Sequence, residues 1–401
     1  MSNTVFAALA RHASKAAVVV LLATPAVISL YNARTRPNDP NLAQLPPRPA
    51  TGAALLEMPS KLNAWVNDHF GYRVDLVKFN NRLRFKLFRE FPTVQMAAGR
   101  NGRYFLAAHG ASMRPYQAVT TVCSRGVARE STIPHLNRLF GAFHAAGMAP
   151  KLLVVPSAPL VYPEDLPWYL ERECTSEVNP VDNVIRSAAL DPAAAAAMYY
   201  PLKEMREIKK SAVLYPKSWF HWTGDGLDPV VRLSLTRFWQ RPLDQAPALA
   251  QKKRMQIADV SHLFDGVLLE SETIEPDLET SGVKGCWGGE CFPEIAEVSA
   301  ILRDVSRFDN PRAPARRLLI ISDSFGSKVS PWYARYYRQV EQFATNGVGQ
   351  LSDAQLEAFK NYIYRERAGT DILILYHDGG AMYDVLRLGT ERLLPAPLPK
   401  T

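Results

Sequence analysis

The chain has 401 residues, 47% of them hydrophobic and 21% charged, with a formal net charge of +8. That length accommodates one large domain or two ordinary ones, and the apolar fraction excludes a chain disordered throughout. The positive balance favours an anionic partner, whether polysaccharide, phospholipid surface or nucleic acid, and by itself selects none of them.

From Ala16 to Ala33 no residue is charged, the stretch includes AVVVLLATPAVISLY, and Arg11 and Lys15 precede it. About 18 uncharged residues behind basic ones read as a signal-anchor over residues 1–34, its N-terminus cytoplasmic and the rest exported to the periplasm. A cleaved signal peptide is the competing reading, although Ala23-Thr24-Pro25-Ala26 lacks a clear small-x-small site. Export sets nucleic acid aside as a partner and makes the four cysteines disulfide candidates. Cys286 and Cys291 bracket the loop CWGGEC, which leaves Cys123 to pair with Cys174. A zinc site is disfavoured, because the close cysteine pair has no second pair at ligand spacing.

Between Arg36 and Ala53 stand Pro37, Pro40, Pro46, Pro47 and Pro49, so residues 35–54 read as an extended spacer and the folded domain is expected over 55–395. Leu62, Trp65 and Val66, then Leu76, Phe79, Leu83 and Leu87, recur at helical spacing. They predict two helices flanking DHFGYR, with Gly71 at the turn. Leu136 to Ala146 predicts an amphipathic helix stopped by Gly147, and the apolar strand Lys151–Val155 follows. Leu202, Met205 and Ile208 predict another helix ahead of a strand over Ala212–Tyr215. RLLII at 317–321 and DILILY at 371–376 are further buried-strand runs. None alternates polar with apolar residues, so the fold class is α/β, a parallel sheet covered by helices on both faces. The run Ala193–Ala197 carries no function, and Asp265–Phe292 reads as an insertion or long surface loop.

Ligands of such sheets bind outside the carboxyl ends of the strands. Three places qualify: SDSFGS after Ile321, SWFHWTGDG after the 212–215 run, and His377-Asp378 after Tyr376. Ser324, on a tight turn, suits a nucleophile; Asp323 and Ser324 equally suit a helix cap. His221 is the first candidate for its base, with a histidine packed in the core as the bland alternative, and His377, beside Asp378, is the second. Trp222 is a candidate stacking surface for a sugar ring, or core. Arg73, Lys217 and Lys328 are candidate contacts to an anionic polymer, or solvated surface charge.

Taken together, NDHFGYR with NNRLRFKLF, GRNGRYFL at 99–106, VVPSAPLVYPEDLP at 154–167, YPKSWFHWTGDG and LLIISDSFGS resemble, in order, the alginate O-acetyltransferases of the AlgX/AlgJ kind over about Leu42–Ser330. The resemblance implies an SGNH-hydrolase-like (flavodoxin-like) domain in which Ser324 takes an acetyl group, His221 removes its proton and an exported polysaccharide hydroxyl accepts the acetyl. It implies a membrane-bound O-acyltransferase as acetyl donor, no soluble cofactor and an exopolysaccharide partner. Two positions depart from the pattern. Ser322 stands where the serine motif has glycine, and Trp219 stands where the Asp-x-His motif has aspartate. Asp225 and Asp323 are the nearest substitutes, and Asp323 is taken as the third catalytic residue. Three activities follow as expectations: an O-acetyltransferase, a weakened or inactive polysaccharide-binding subunit, and a polysaccharide acetylesterase.

Overall fold

The computed structural model describes residues 43–71, 73–93, 96–106, 121–124, 127–168, 170–175, 179–241, 243, 246–263 and 265–398, with 12, 13, 15–20, 23, 24, 27 and 28 ahead of them. Most of the expected signal-anchor and the first part of the spacer lie outside the described residues. Among the described residues no helix is long and apolar enough to cross a membrane. The chain divides into two compact units, Met1–Arg89 with Asp265–Val267, and Glu90–Phe264 with Leu268–Thr401.

In the first unit the two expected helices are present, α1 (Gly52–His69) and α2 (Arg73–Phe88). Thr51 caps α1 by accepting the Ala54 N–H at 3.2 Å. Asn81 and Arg82 of α2 donate to the carbonyls of Asp265 and Gly266, both at 2.9 Å, which ties the distant segment 265–267 to this helix.

The second unit opens with a short antiparallel pair, β1 (Met96–Ala98) and β2 (Tyr104–Leu106), followed by α3 (Thr132–Ala145) and β3 (Lys151–Val155). Then come β4 (Met198–Tyr199), α4 (Leu202–Ile208), α5 (Leu227–Trp239) and the hairpin β5 (Ala250–Ile257) and β6 (Glu270–Asp277). The remainder is β7 (Lys284–Trp287), α6 (Ala296–Leu302), β8 (Val305–Asp309), β9 (Arg317–Ser322), α7 (Gly326–Tyr333), β10 (Gln339–Ala344), α8 (Asp353–Ile363) and β11 (Thr370–His377). Seven strands form one sheet in the order β4-β3-β11-β9-β10-β8-β7.

The first five strands of that order are parallel, as expected for an α/β fold. The edge departs from the expectation: β8 runs antiparallel to β10, and β7 antiparallel to β8. The unbroken apolar runs are explained by two cores. Leu153, Val155, Leu318, Ile320, Leu373 and Leu375 face one; Leu152, Val154, Leu319, Ile321, Ile372 and Ile374 face the other. Successive side chains point to opposite faces, so a strand covered on both sides must be apolar throughout. Each such side chain contributes about 1.5–3 kcal/mol by burial.

Ala212–Tyr215 is not a strand. The carbonyls of Val213 and Leu214 accept from Gly226 N–H (2.9 Å) and Thr223 N–H (3.0 Å), so this backbone closes a loop instead of joining a ladder. The strand that pairs with β3 on the side away from β11 is β4. Both expected disulfides are present, Cys123 with Cys174 and Cys286 with Cys291.

Candidate active site

At the carboxyl edge of the sheet, β9 gives way to Asp323-Ser324-Phe325 before α7 begins. Ser324 is half-buried, and its Oγ lies 2.7 Å from His221 Nε2. The other ring nitrogen, Nδ1, is 2.6 Å from Asp259 Oδ2. With Nδ1–H donated to that carboxylate, Nε2 keeps its lone pair toward the serine hydroxyl, the tautomer a general base requires. Burial works against the Asp259 charge, but the His221 hydrogen bond and the backbone N–H groups outweigh it and hold the carboxyl below its ordinary value. Ser324, His221 and Asp259 thus bring a hydroxyl, an imidazole and a carboxylate into line, an arrangement that can act chemically as nucleophile, base and orienting acid.

Local sequence explains how His221 is presented. Its loop is closed by the Val213 and Leu214 contacts above, and Val213 N–H donates to Asp225 Oδ1 at 2.9 Å. Gly224 sits at φ +136°, where an added Cβ would fall 2.3 Å from the Val213 carbonyl oxygen, so only glycine allows this closure. Trp222 is buried and donates its indole N–H to the Phe325 carbonyl at 2.8 Å, coupling the histidine loop to the nucleophile turn. Asp259 comes from elsewhere. It begins the short turn Asp259–Leu263 at the tip of the β5–β6 hairpin, where Ala258 N–H donates to the Leu269 carbonyl at 2.7 Å.

The structure therefore brings together Ser324 and His221 and gives the other candidates different partners. Asp323 does not complete the triad. Its Oδ2 accepts from His377 Nδ1 (2.6 Å) and His377 N–H (3.0 Å), and its Oδ1 from Phe325 N–H (2.9 Å). Both oxygens are committed behind the nucleophile, and the capping reading of Asp323 is partly met in this local turn. His377 accordingly serves Asp323 and stacks on Phe325, with ring centres 4.9 Å apart. Burial opposes charge on the His377 ring, yet Asp323 prevails and raises its pKa above the ordinary value.

Asp225, the other substitute, is spent on the turn described above. Trp222 is not a stacking surface, because its ring is wholly buried and its one polar atom is used internally. Lys217 donates to the Asn101 carbonyl at 2.7 Å. Arg73 belongs to the first unit, where it pairs with Asp68 Oδ1 at 3.0 Å and donates to the Asn67 carbonyl. The ammonium of Lys328 lies 5.1 Å from the centre of the Trp219 ring, which is itself buried. The Asp259 carboxylate also accepts the N–H groups of Phe220 and His221, both at 2.9 Å. Sequence reading missed this residue. Its only local mark, an acidic residue opening a turn after a strand, fits any helix start.

No family model matches the sequence, and no curated protein does. Among solved structures, a DHHW family protein from Eubacterium siraeum is similar over 76% of this chain and 97% of its own, at 12% identity and a TM-score of 0.51. That likeness shows a shared fold. AlgX from Pseudomonas aeruginosa is similar over 70% of this chain and 61% of its own (13% identity, TM-score 0.40). The O-acetyltransferase domain of Pseudomonas putida AlgJ is similar over 74% and 98% (12% identity, TM-score 0.40).

Proposed function

We propose that the protein is an acyltransferase that carries an acetyl group on Ser324 and passes it to a hydroxyl of an exported polysaccharide. The observation that carries this reading is the continuous relay Ser324–His221–Asp259, with contacts of 2.7 and 2.6 Å. Ser324 Oγ attacks the donor's acetyl carbonyl while its proton passes to His221 Nε2, and Asp259 stabilises the imidazolium that forms. The tetrahedral intermediate collapses, the donor's alkoxide leaves with the proton from His221, and acetyl-Ser324 remains. A sugar hydroxyl then attacks the ester as His221 takes its proton, and Ser324 leaves reprotonated. The ordered motif set supports acetyl as the group and an exported glycan as acceptor. A membrane-bound O-acyltransferase is the donor consistent with that resemblance.

The test is intact mass after incubation with p-nitrophenyl acetate. The wild-type chain is expected to gain one acetyl group, and Ser324→Ala to gain none. A wild-type chain that stays unmodified while the ester is in excess overturns the reading. Acetate release that rises on adding an oligosaccharide, with acetylated sugar formed, identifies transfer; release indifferent to sugar identifies an esterase.

A further inference from the structure

A cavity of ≈ 630 Å³ lies against the two segments that carry His221 and Ser324. Thr223 and Ser327 stand in its wall, and Ser327 Oγ donates to the Ser324 carbonyl at 3.1 Å. Its size is that of a small-ligand site. Trp287, the last residue of β7, also lines it. That tryptophan is 53% exposed, although Trp219, Trp222 and Trp332 nearby are all buried.

One exposed tryptophan is ordinary on a protein surface; this one is held in place. The Cys286–Cys291 disulfide closes the loop around it, and Gly288 N–H pins that loop to the Val305 carbonyl at 2.8 Å. The indole meets Phe308 edge-on, with ring centres 5.2 Å apart. An added Cβ at Gly285 would come within 2.9 Å of the indole Cη2, so glycine is what lets the ring lie back across its own strand. A ring fixed by a disulfide, an aromatic edge and a glycine offers a flat apolar face at little cost in conformational entropy.

The charges in the wall set the class of ligand. Lys252 and Lys328 line the cavity together with Glu275, Glu279 and Asp304. Lys252 is the cross-strand partner of Glu275 in the hairpin. The Lys328 ammonium lies over the Trp219 ring. The cavity therefore holds no surplus of cations, in contrast with the chain's overall charge of +8. A polymer carrying one carboxylate per sugar would bring like charge to three carboxylates in a partly enclosed space, whereas hydroxyl groups find both donors and acceptors there.

From this we infer that the Trp287 cavity is the acceptor site, stacking a sugar ring on Trp287 and selecting an uncharged glycan over a polyuronate. The assignment of the bound sugar as acceptor rests on the acyl-transfer reading. The test uses the full chain carrying Ser324→Ala, so that binding is read without turnover. Cellohexaose and a mannuronate hexamer are titrated by calorimetry, with tryptophan fluorescence recorded in parallel. Cellohexaose is expected to bind more tightly and quench the fluorescence. Adding Trp287→Ala is expected to weaken it about tenfold, the upper end of one aromatic contact, and Trp287→Phe to restore most of the loss. The pair Glu275→Gln and Glu279→Gln is expected to narrow the gap between the two oligomers. Preference for the mannuronate hexamer, no binding of either, or binding indifferent to Trp287→Ala overturns the proposal. Acetylation of Ser324 is measured separately on the wild-type chain. Its failure would sink acyl transfer while leaving the binding result readable.

Discussion

Three hydrogen bonds converge on the Asp259 carboxylate, two from the backbone of the His221 loop and one from the ring itself. Phe220 N–H bonds one carboxylate oxygen and His221 the other, so an asparagine keeps only one of the two backbone bonds, and an amide nitrogen turned to the ring lets the imidazole settle in the wrong tautomer. Asp259→Asn is therefore expected to keep the fold and lose about 10⁴-fold in kcat. Asp323→Asn is expected to act chiefly on stability, since Asp323 holds His377 and the turn, not His221. Ester turnover read beside thermal unfolding separates the two, and an Asp259→Asn variant with wild-type turnover would remove it from the relay. Ser324 and His221 were legible because each sits in a local stretch with its own signature, an apolar strand end or a glycine-closed loop. Asp259 was not, because its meeting with His221 spans 38 positions and exists only once a hairpin tip has folded back. No spacing rule encodes such a contact.

Among the elements, α3 carries a titration that should be visible in unfolding. It buries Leu136, Leu139, Phe140 and Phe143, and His135 on the same helix is buried with them. His135 Nε2 donates to Thr390 Oγ1 at 2.9 Å, since that hydroxyl is itself donated to the Leu386 carbonyl. Its Nδ1 has no hydrogen-bond partner among the described residues, so a second ring proton would lack an acceptor. Burial, with a smaller push from Arg138, lowers the His135 pKa from 6.5 to about 4. The unfolded chain then binds the proton first, and stability is expected to fall as pH drops from about 6.5 towards 4, by up to about 3 kcal/mol. His377 acts in the opposite sense: its raised pKa gives stability that is full below about 6.5 and lost as pH rises through the folded value. Urea midpoints at pH 7 and pH 5 for wild type and His135→Gln check the first effect, and a wild-type slope unchanged in the variant would refute it. Periodicity recovered α1 to α4, β3, β9 and β11, all of them continuous in pattern. It passed over β10, whose buried Glu341 and Gln342 look wrong for a central strand. They are tolerated because Glu341 accepts from Arg317, Arg365 and Tyr362, and Gln342 bonds Ser306 and Ser322. It misread Ala212–Tyr215 for the converse reason, since an apolar run can face a core while its backbone closes a loop.

At the scale of the whole molecule, the two disulfides are compatible with a location outside the cytoplasm, and they differ in what they contribute. Cys123 and Cys174 are 51 positions apart and both are buried in one core, whereas Cys286 and Cys291 are five positions apart on the sheet's edge. On the chain-entropy account, closing the longer loop removes more freedom from the unfolded chain, about 4 kcal/mol against about 2. The double variant Cys123→Ser with Cys174→Ser is therefore expected to lower the guanidinium midpoint more than Cys286→Ser with Cys291→Ser. Burial adds to the difference, since both Cys123 and Cys174 lie in an apolar core, whereas of the shorter pair only Cys291 is fully buried. The shorter bridge should instead be felt at the cavity, because it fixes Trp287. Its removal is expected to cost cellohexaose affinity at a modest loss of stability, and removal of the longer bridge to cost stability with affinity retained wherever the chain remains folded. Denaturation midpoints and calorimetry on the two double variants decide the matter. If the short-loop variant lost the greater stability, or kept full glycan affinity, the division of labour between the two bridges would be wrong.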